Sequence, residues 1–195
     1  SYSNIELGYA KEFSNSIYGG IGVKVINESL PDISSSGFAL DAGIQYVTGL
    51  GKDKAGNKKL DNLRFGIAMK NVGTTMKFKG DGMSFIGVVP NGTTMTLEHR
   101  SDEFELPSLI KIGASYHINL DAKVDSVNDE VISNHQMILA ANFTSNSFTR
   151  DQIHFGVEYS FKNILSIRGG FIYEKGIFDS ADRNSAFTGP SAGIS

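Results

Sequence analysis

Apolar residues alternate with small or polar ones at a period of two along eight stretches of this chain, at residues 4–13, 17–26, 37–47, 63–71, 108–119, 135–144, 152–161 and 164–175. Successive side chains of a strand point to opposite faces, so each stretch reads as a β-strand with one apolar face. Helical periodicity is nearly absent, and the expected fold class is all-β: an antiparallel up-and-down meander. Most stretches run about nine to twelve residues, enough for a tilted strand to cross a bilayer and longer than the five to six usual in soluble sheets. A further partial run starts near Ala186.

Separating the two faces sharpens the reading. Phe38, Leu40, Ala42, Ile44 and Tyr46 share one face, and Ala39, Asp41, Gly43 and Gln45 share the other. The same division sets Phe65, Ile67 and Met69 against Arg64, Gly66, Ala68 and Lys70, and Ile110, Ile112, Tyr116 and Ile118 against Lys111, Gly113, Ser115 and His117. It sets Ile153, Phe155, Val157 and Tyr159 against His154, Gly156, Glu158 and Ser160, and Leu165, Ile167, Phe171 and Tyr173 against Ser166, Arg168, Gly170 and Glu174. Gly8, Gly22, Gly43, Gly66, Gly113, Gly156 and Gly170 all fall on the polar face. Glycine weakens an ordinary strand, so its repetition in one phase needs a common cause, and a curved, tilted wall with an open interior supplies one.

The connections fall into two sets, one for each rim of a meander. Residues 14–16, 51–62, 121–134 and 162–163 belong to one rim, and 28–36, 72–107, 146–151 and 176–185 to the other. The connection 72–107 is too long for a bare loop, and weak alternation at 75–79 and 94–99 around Pro90-Asn91-Gly92 predicts a hairpin inside it. Met76, Phe78, Met83, Phe85 and Ile86 make it unusually apolar, so it is expected either to plug the mouth of the wall or to dock a partner.

Composition removes whole classes of function. The chain of 195 residues has no Cys, which excludes disulfides, Cys-ligated metals and thiol catalysis. No apolar run is long enough for a membrane helix. A net charge of -3 without a Lys/Arg block argues against nucleic acid as a partner. The chain opens at Ser1 without a signal segment and stops on FTGPSAGIS without a polar tail, and so reads as a piece of a longer protein. Residues 1–195 are taken as one β domain or a fragment of one.

A soluble sandwich or lipocalin-like ligand-binding barrel would turn the apolar face inward. Its water-facing side would then be rich in Gly, Ala and Ser where soluble strands carry Lys, Glu and Thr. Aromatics placed toward strand ends, such as Phe38, Tyr46, Phe161 and Tyr173, suit interfacial girdles instead. The expected arrangement is a transmembrane β-barrel with its apolar face on membrane lipid. Asp41, Arg64, Lys70, Lys111, His117, His154, Glu158, Arg168 and Glu174 would then face the lumen, where the cations can pair with the three carboxylates.

Three segments carry a family resemblance: SSSGFALDAGIQYVTG at 34–49, LRFGIAMKNVGTTMKFKG at 63–80 and ELPSLIKIGASYHI at 105–118. A strand with an inward Asp, a strand ending in Asn-x-Gly, a long Met- and Phe-bearing loop and a Leu-Pro entry to the next strand resemble the PorV/PorQ family of Bacteroidetes outer-membrane barrels. That family is similar in turn to the FadL long-chain fatty-acid transporters. The resemblance implies a larger, FadL-like barrel in the bacterial outer membrane, with this chain as its later, C-terminal part. It implies a noncatalytic role in type IX protein secretion, beside the translocon and in contact with secreted cargo. A FadL-like channel for hydrophobic small molecules is the alternative, and it expects an apolar pocket under the long loop.

Other sites are weaker. His117 and His154 have no second ligand at metal spacing, Ser115 beside His117 is not a triad, and 52–57 lacks the acidic spacing of a calcium loop. No catalytic residue, metal or cofactor is expected.

Overall fold

The computed structural model describes residues 1–52, 61–121, 123–124, 131–162, 164–178 and 188–195. Its strands, in chain order, are β1 (Tyr2–Ser14), β2 (Ile17–Leu30), β3 (Ile33–Thr48), β4 (Leu63–Gly73), β5 (Ser84–Val88), β6 (Thr94–Glu98), β7 (Leu109–Asn119), β8 (Lys123–Val124), β9 (Val131–Ile132), β10 (His135–Asn146), β11 (Gln152–Phe161), β12 (Leu165–Glu174) and β13 (Gly189–Ile194). Nine of them form one antiparallel sheet in the order β1-β2-β3-β4-β7-β10-β11-β12-β13. Each neighbour in space is therefore the next long strand in sequence, an up-and-down meander. Two hairpins, β5–β6 and β8–β9, are inserted in the connections that flank β7.

Two expectations need correction. The connection expected over 28–36 shrinks to Pro31-Asp32, because Leu30 pairs with Ile33 and the serines at 34–36 continue the ladder opposite 27–29. Proline presets the first turn position, and Asp32 takes the left-handed conformation at φ 64°. The inserted hairpin has its second arm at 94–98 as expected, but its first arm is Ser84–Val88 and not 75–79. Residues 75–79 instead cross the sheet end, where Lys79 exchanges backbone hydrogen bonds with Ser34 and Met76 does so with Phe104. Most of 51–62, the start of the last run at Ala186 and residues 125–130 lie outside the described residues.

Parity across the sheet follows the sequence alternation. Phe38, Leu40, Ile44 and Tyr46 are each about half exposed, whereas Ala39 between them is completely buried. Ile5 and Leu7 on β1, Ile21 on β2, Ile67 on β4, Ile112 on β7, Leu139 on β10, Phe155 on β11, Ile167 on β12 and Ile194 on β13 are likewise exposed. One apolar face thus lies bare on every strand of the sheet.

The opposite face is a shallow, open concavity. A single cavity of about 720 Å³ is lined by Ala10, Gly20, Gly43, Gly66, Gly113 and Ala140, which come from six successive strands. Five strand spacings span about 24 Å in a flat sheet, so the sheet must curl around its glycine-bearing side for one cavity to reach all six. The strands are also staggered. One row of paired residues runs Ala10, Gly20, Gly43, Ala68, Lys111, Thr144, Gln152 and Glu174. It begins four positions from the end of β1 and finishes at the last residue of β12, nine positions from that strand's start. Such drift is the tilt that a curled sheet requires.

Candidate functional site

The inner, glycine-bearing face carries two polar groupings. In the first, the β3–β4 ladder shifts register between Leu40 and Ala42, so that Lys70 and Asn71 together oppose Asp41. Asn71 occupies the bulge in a left-handed conformation at φ 57°, which asparagine tolerates better than most residues. Its amide N–H donates to Asp41 Oδ1 at 2.9 Å, and Lys24 Nζ donates to Asp41 Oδ2 at 2.6 Å and to Asn71 Oδ1 at 3.0 Å. Lys24 is buried, and Glu6 stands 4.0 Å from its ammonium. Asn71 also ties the long connection down, donating through Nδ2 to the Pro107 carbonyl at 3.0 Å.

The second grouping lies on β11 and β12. Arg168 donates to Glu158, and buried Glu174 accepts from Gln152 Nε2 at 2.7 Å. His154 Nε2 is buried and has no hydrogen-bond partner among the described residues. The backbone N–H of His117, on β7, donates to the carbonyl of Asn62, the residue before β4, at 2.7 Å. Of the expected inner cations, Arg168 is the one that meets a carboxylate. Arg64, Lys70 and Lys111 have no hydrogen-bond or ion-pair partner among the described residues. No described hydrogen bond joins Ser115 to His117, and among the described residues no group of His, Asp and Glu could hold a metal.

The long connection splits into two parts. Met76 is almost wholly buried against Ile26 and Ala39, with Phe104 and Leu106 packed on the same cluster. It sits directly on Gly37, where an added Cβ would stand 2.7 Å from Met76 Cγ. Phe78 stacks on Phe104 with ring centroids 5.5 Å apart, and Thr75 Oγ1 donates to Glu103 at 3.1 Å. These residues plug the sheet end. Met83 closes the base of the hairpin, its carbonyl accepting from His99 N–H at 2.7 Å, while Phe85 and Ile86 stand out on β5, 52% and 75% exposed. The five apolar residues that the sequence grouped together therefore do two separate things.

Sequence reasoning passed over Lys24, Asn71, Gln152, Phe104 and Leu106. Lys24 alternates between Val23 and Val25 and was open to the same parity argument as the other cations. Asn71 depends on a register shift that nothing in its neighbours announces.

At the rim opposite the long connection, Asp121 closes the base of β8–β9. Ser133 Oγ donates to it at 2.7 Å and His135 N–H at 2.9 Å, and these bonds hold its carboxyl below the usual aspartate range. Nearby, Tyr159 and His135 share a hydrogen bond of 2.6 Å, and Lys162 lies over the Phe161 ring.

No family model, curated protein or solved structure matches the chain.

Proposed function

We propose that the chain is part of the wall of a noncatalytic outer-membrane β-barrel. Its role would be to bind secreted proteins or pass them on beside a type IX translocon, as its likeness to the PorV/PorQ family implies. The observation that carries the membrane part is the bare apolar face on all nine strands, opposite a polar face that is curled inward. In water each such Ile, Leu or Phe forgoes about 25 cal/mol per Å² of apolar area that acyl chains would cover. A soluble barrel places those residues in its dry centre, the reverse of this arrangement. The β1 and β13 edges have no described partner, and lipid does not tolerate open edges, so the barrel reading includes closure by further pairing.

The secretion part is carried by the resemblance, with the hairpin β5–β6 as the surface for cargo. A channel for apolar small molecules calls for an empty apolar pocket under the long connection. Met76 fills the apolar space there, which favours the first reading.

The test has two stages. The protein should fractionate with the outer membrane and show heat-modifiable mobility on gels; recovery as a detergent-free soluble species would end the barrel reading. Purified in mild detergent after cross-linking, it should carry secretion-machinery or secreted proteins. Their absence, with the barrel intact, would end the secretion reading alone.

A further inference from the structure

The inner groove contains a floor without side chains where Gly66 of β4 pairs with Gly113 of β7. In the same two strands Arg64 pairs with Ser115 on one side of that floor, and Ala68 pairs with Lys111 on the other. Asn142 follows Gly113 in the next ladder and closes the floor laterally. Arg64, Gly66, Lys111, Gly113, Ser115 and Asn142 all line the one cavity of about 720 Å³. Four residues of rise plus one strand step set the Arg64 and Lys111 Cα atoms about 14 Å apart, close enough for two long side chains to converge over the glycines.

The charge balance inside this cavity is uneven. Of its lining in the inner phase, Arg64 and Lys111 stand against the single carboxylate of Glu12, while Lys11 alternates onto the apolar face with Leu7 and Tyr9. Of the inner carboxylates, Asp41 is paired with Lys24 and Glu158 with Arg168, and Glu174, three strands along the paired row from Lys111, accepts from the Gln152 amide. Arg64 and Lys111 are left without partners among the described residues. His154, whose buried Nε2 lacks a hydrogen-bond partner among the described residues, pairs with Asn142 in the β10–β11 ladder. Two cations placed four residues and one strand apart on either side of a bare floor, with a hydroxyl and an amide beside it, suit a group with several acceptor oxygens. Guanidinium matches such a group as a fork, and ammonium as a point charge.

We infer that the Gly66–Gly113 floor between Arg64 and Lys111 is a seat for an oxyanion, a carboxylate or phosphate carried by a solute entering the groove. The inference does not depend on the secretion reading; it requires only that the groove be open to solvent.

Calorimetric titration of the full chain in zwitterionic detergent with inorganic phosphate, and separately with acetate, tests the seat and tells the two sources of the oxyanion apart. At least one of them should bind saturably. In Arg64→Gln/Lys111→Gln that binding should weaken at least tenfold, while Lys52→Gln outside the groove leaves it unchanged. Gly66→Leu supplies a test that alters no charge. A Cβ there meets only the Ile44 carbonyl oxygen, at 3.8 Å, so the strand accommodates it while the rest of the side chain fills the seat. Heat-modifiable mobility of each variant reports that it has folded. Failure of both anions to saturate would overturn the proposal, as would undiminished binding in a folded double variant or in Gly66→Leu.

Discussion

Lys24 is the residue on which the inner polar network turns. Its ammonium contacts both Asp41 and Asn71, with little water reaching either side chain of the Lys24–Asp41 pair. Removing one partner from such a pair leaves an uncompensated charge, so Lys24→Met should lower unfolding free energy by about 3 kcal/mol. Lys24→Met/Asp41→Leu should recover much of that loss, and urea unfolding in detergent or vesicles compares the two. Equal destabilisation in both would mean that the pair is not the unit that matters. The location of Lys24 could be read from parity alone, since it stands in phase with Gly22 and Ile26. Asp41 is its diagonal neighbour across the regular β2–β3 ladder, where Gly22 faces Asp41 and Lys24 faces Ala39; its second partner, Asn71, could not be read, because it reaches Asp41 only where the β3–β4 ladder slips by one residue.

Among the inserted elements, the two hairpins differ in how they are anchored. Residues 84–98 leave and rejoin the connection between Met83 and His99, which are already hydrogen-bonded at 2.7 Å. Joining those two residues directly should remove the exposed hairpin and keep both heat-modifiable mobility and the unfolding midpoint. Met76→Ala, by contrast, empties a packed position, and large-to-small changes of this kind cost about 2–5 kcal/mol. A deletion that unfolds the chain would show that the hairpin braces the wall. The β8–β9 hairpin is closed by Asp121, and its stability should follow that carboxylate. With its folded value held below the ordinary 3.8, the group contributes fully above that pH, and the contribution is lost as pH falls through the depressed value. Protection of the His135 amide, its exchange taken relative to the intrinsic rate at each pH, should therefore fall in acid, and Asp121→Asn should abolish that pH dependence while keeping an acceptor oxygen. The Pro90-Asn91-Gly92 turn and the second arm of β5–β6 were readable because turn chemistry is local. The first arm was misplaced because the alternation at 75–79 records packing on Gly37 and Phe104, partners distant in sequence.

For the whole molecule, the decisive property is which side of the sheet meets water, and adjacent residues of β4 can report it. Ile67 is about half exposed on the apolar face, and Ala68 lies on the glycine-bearing face, paired with Gly43. Period-two alternation made this division visible in the sequence, since parity needs no knowledge of what pairs with what. The stagger of the strands was not visible, because it accumulates from turn lengths and from the slips at Glu12/Ser14 and Leu40/Ala42. If the apolar face lies in lipid, Ile67→Arg places a cation in hydrocarbon at about 2–4 kcal/mol near the midplane, whereas Ala68→Arg extends into the groove at little cost. Folding yield into lipid vesicles, read by heat-modifiable mobility, should drop for the first variant and hold for the second. A water-exposed apolar face would make Ile67→Arg harmless or solubilising, and an apolar face turned into a dry centre would let the unmodified protein fold in buffer without vesicles. Loss of folding in Ala68→Arg together with tolerance of Ile67→Arg would therefore reverse the orientation of every strand, because the ladders lock all nine into one parity.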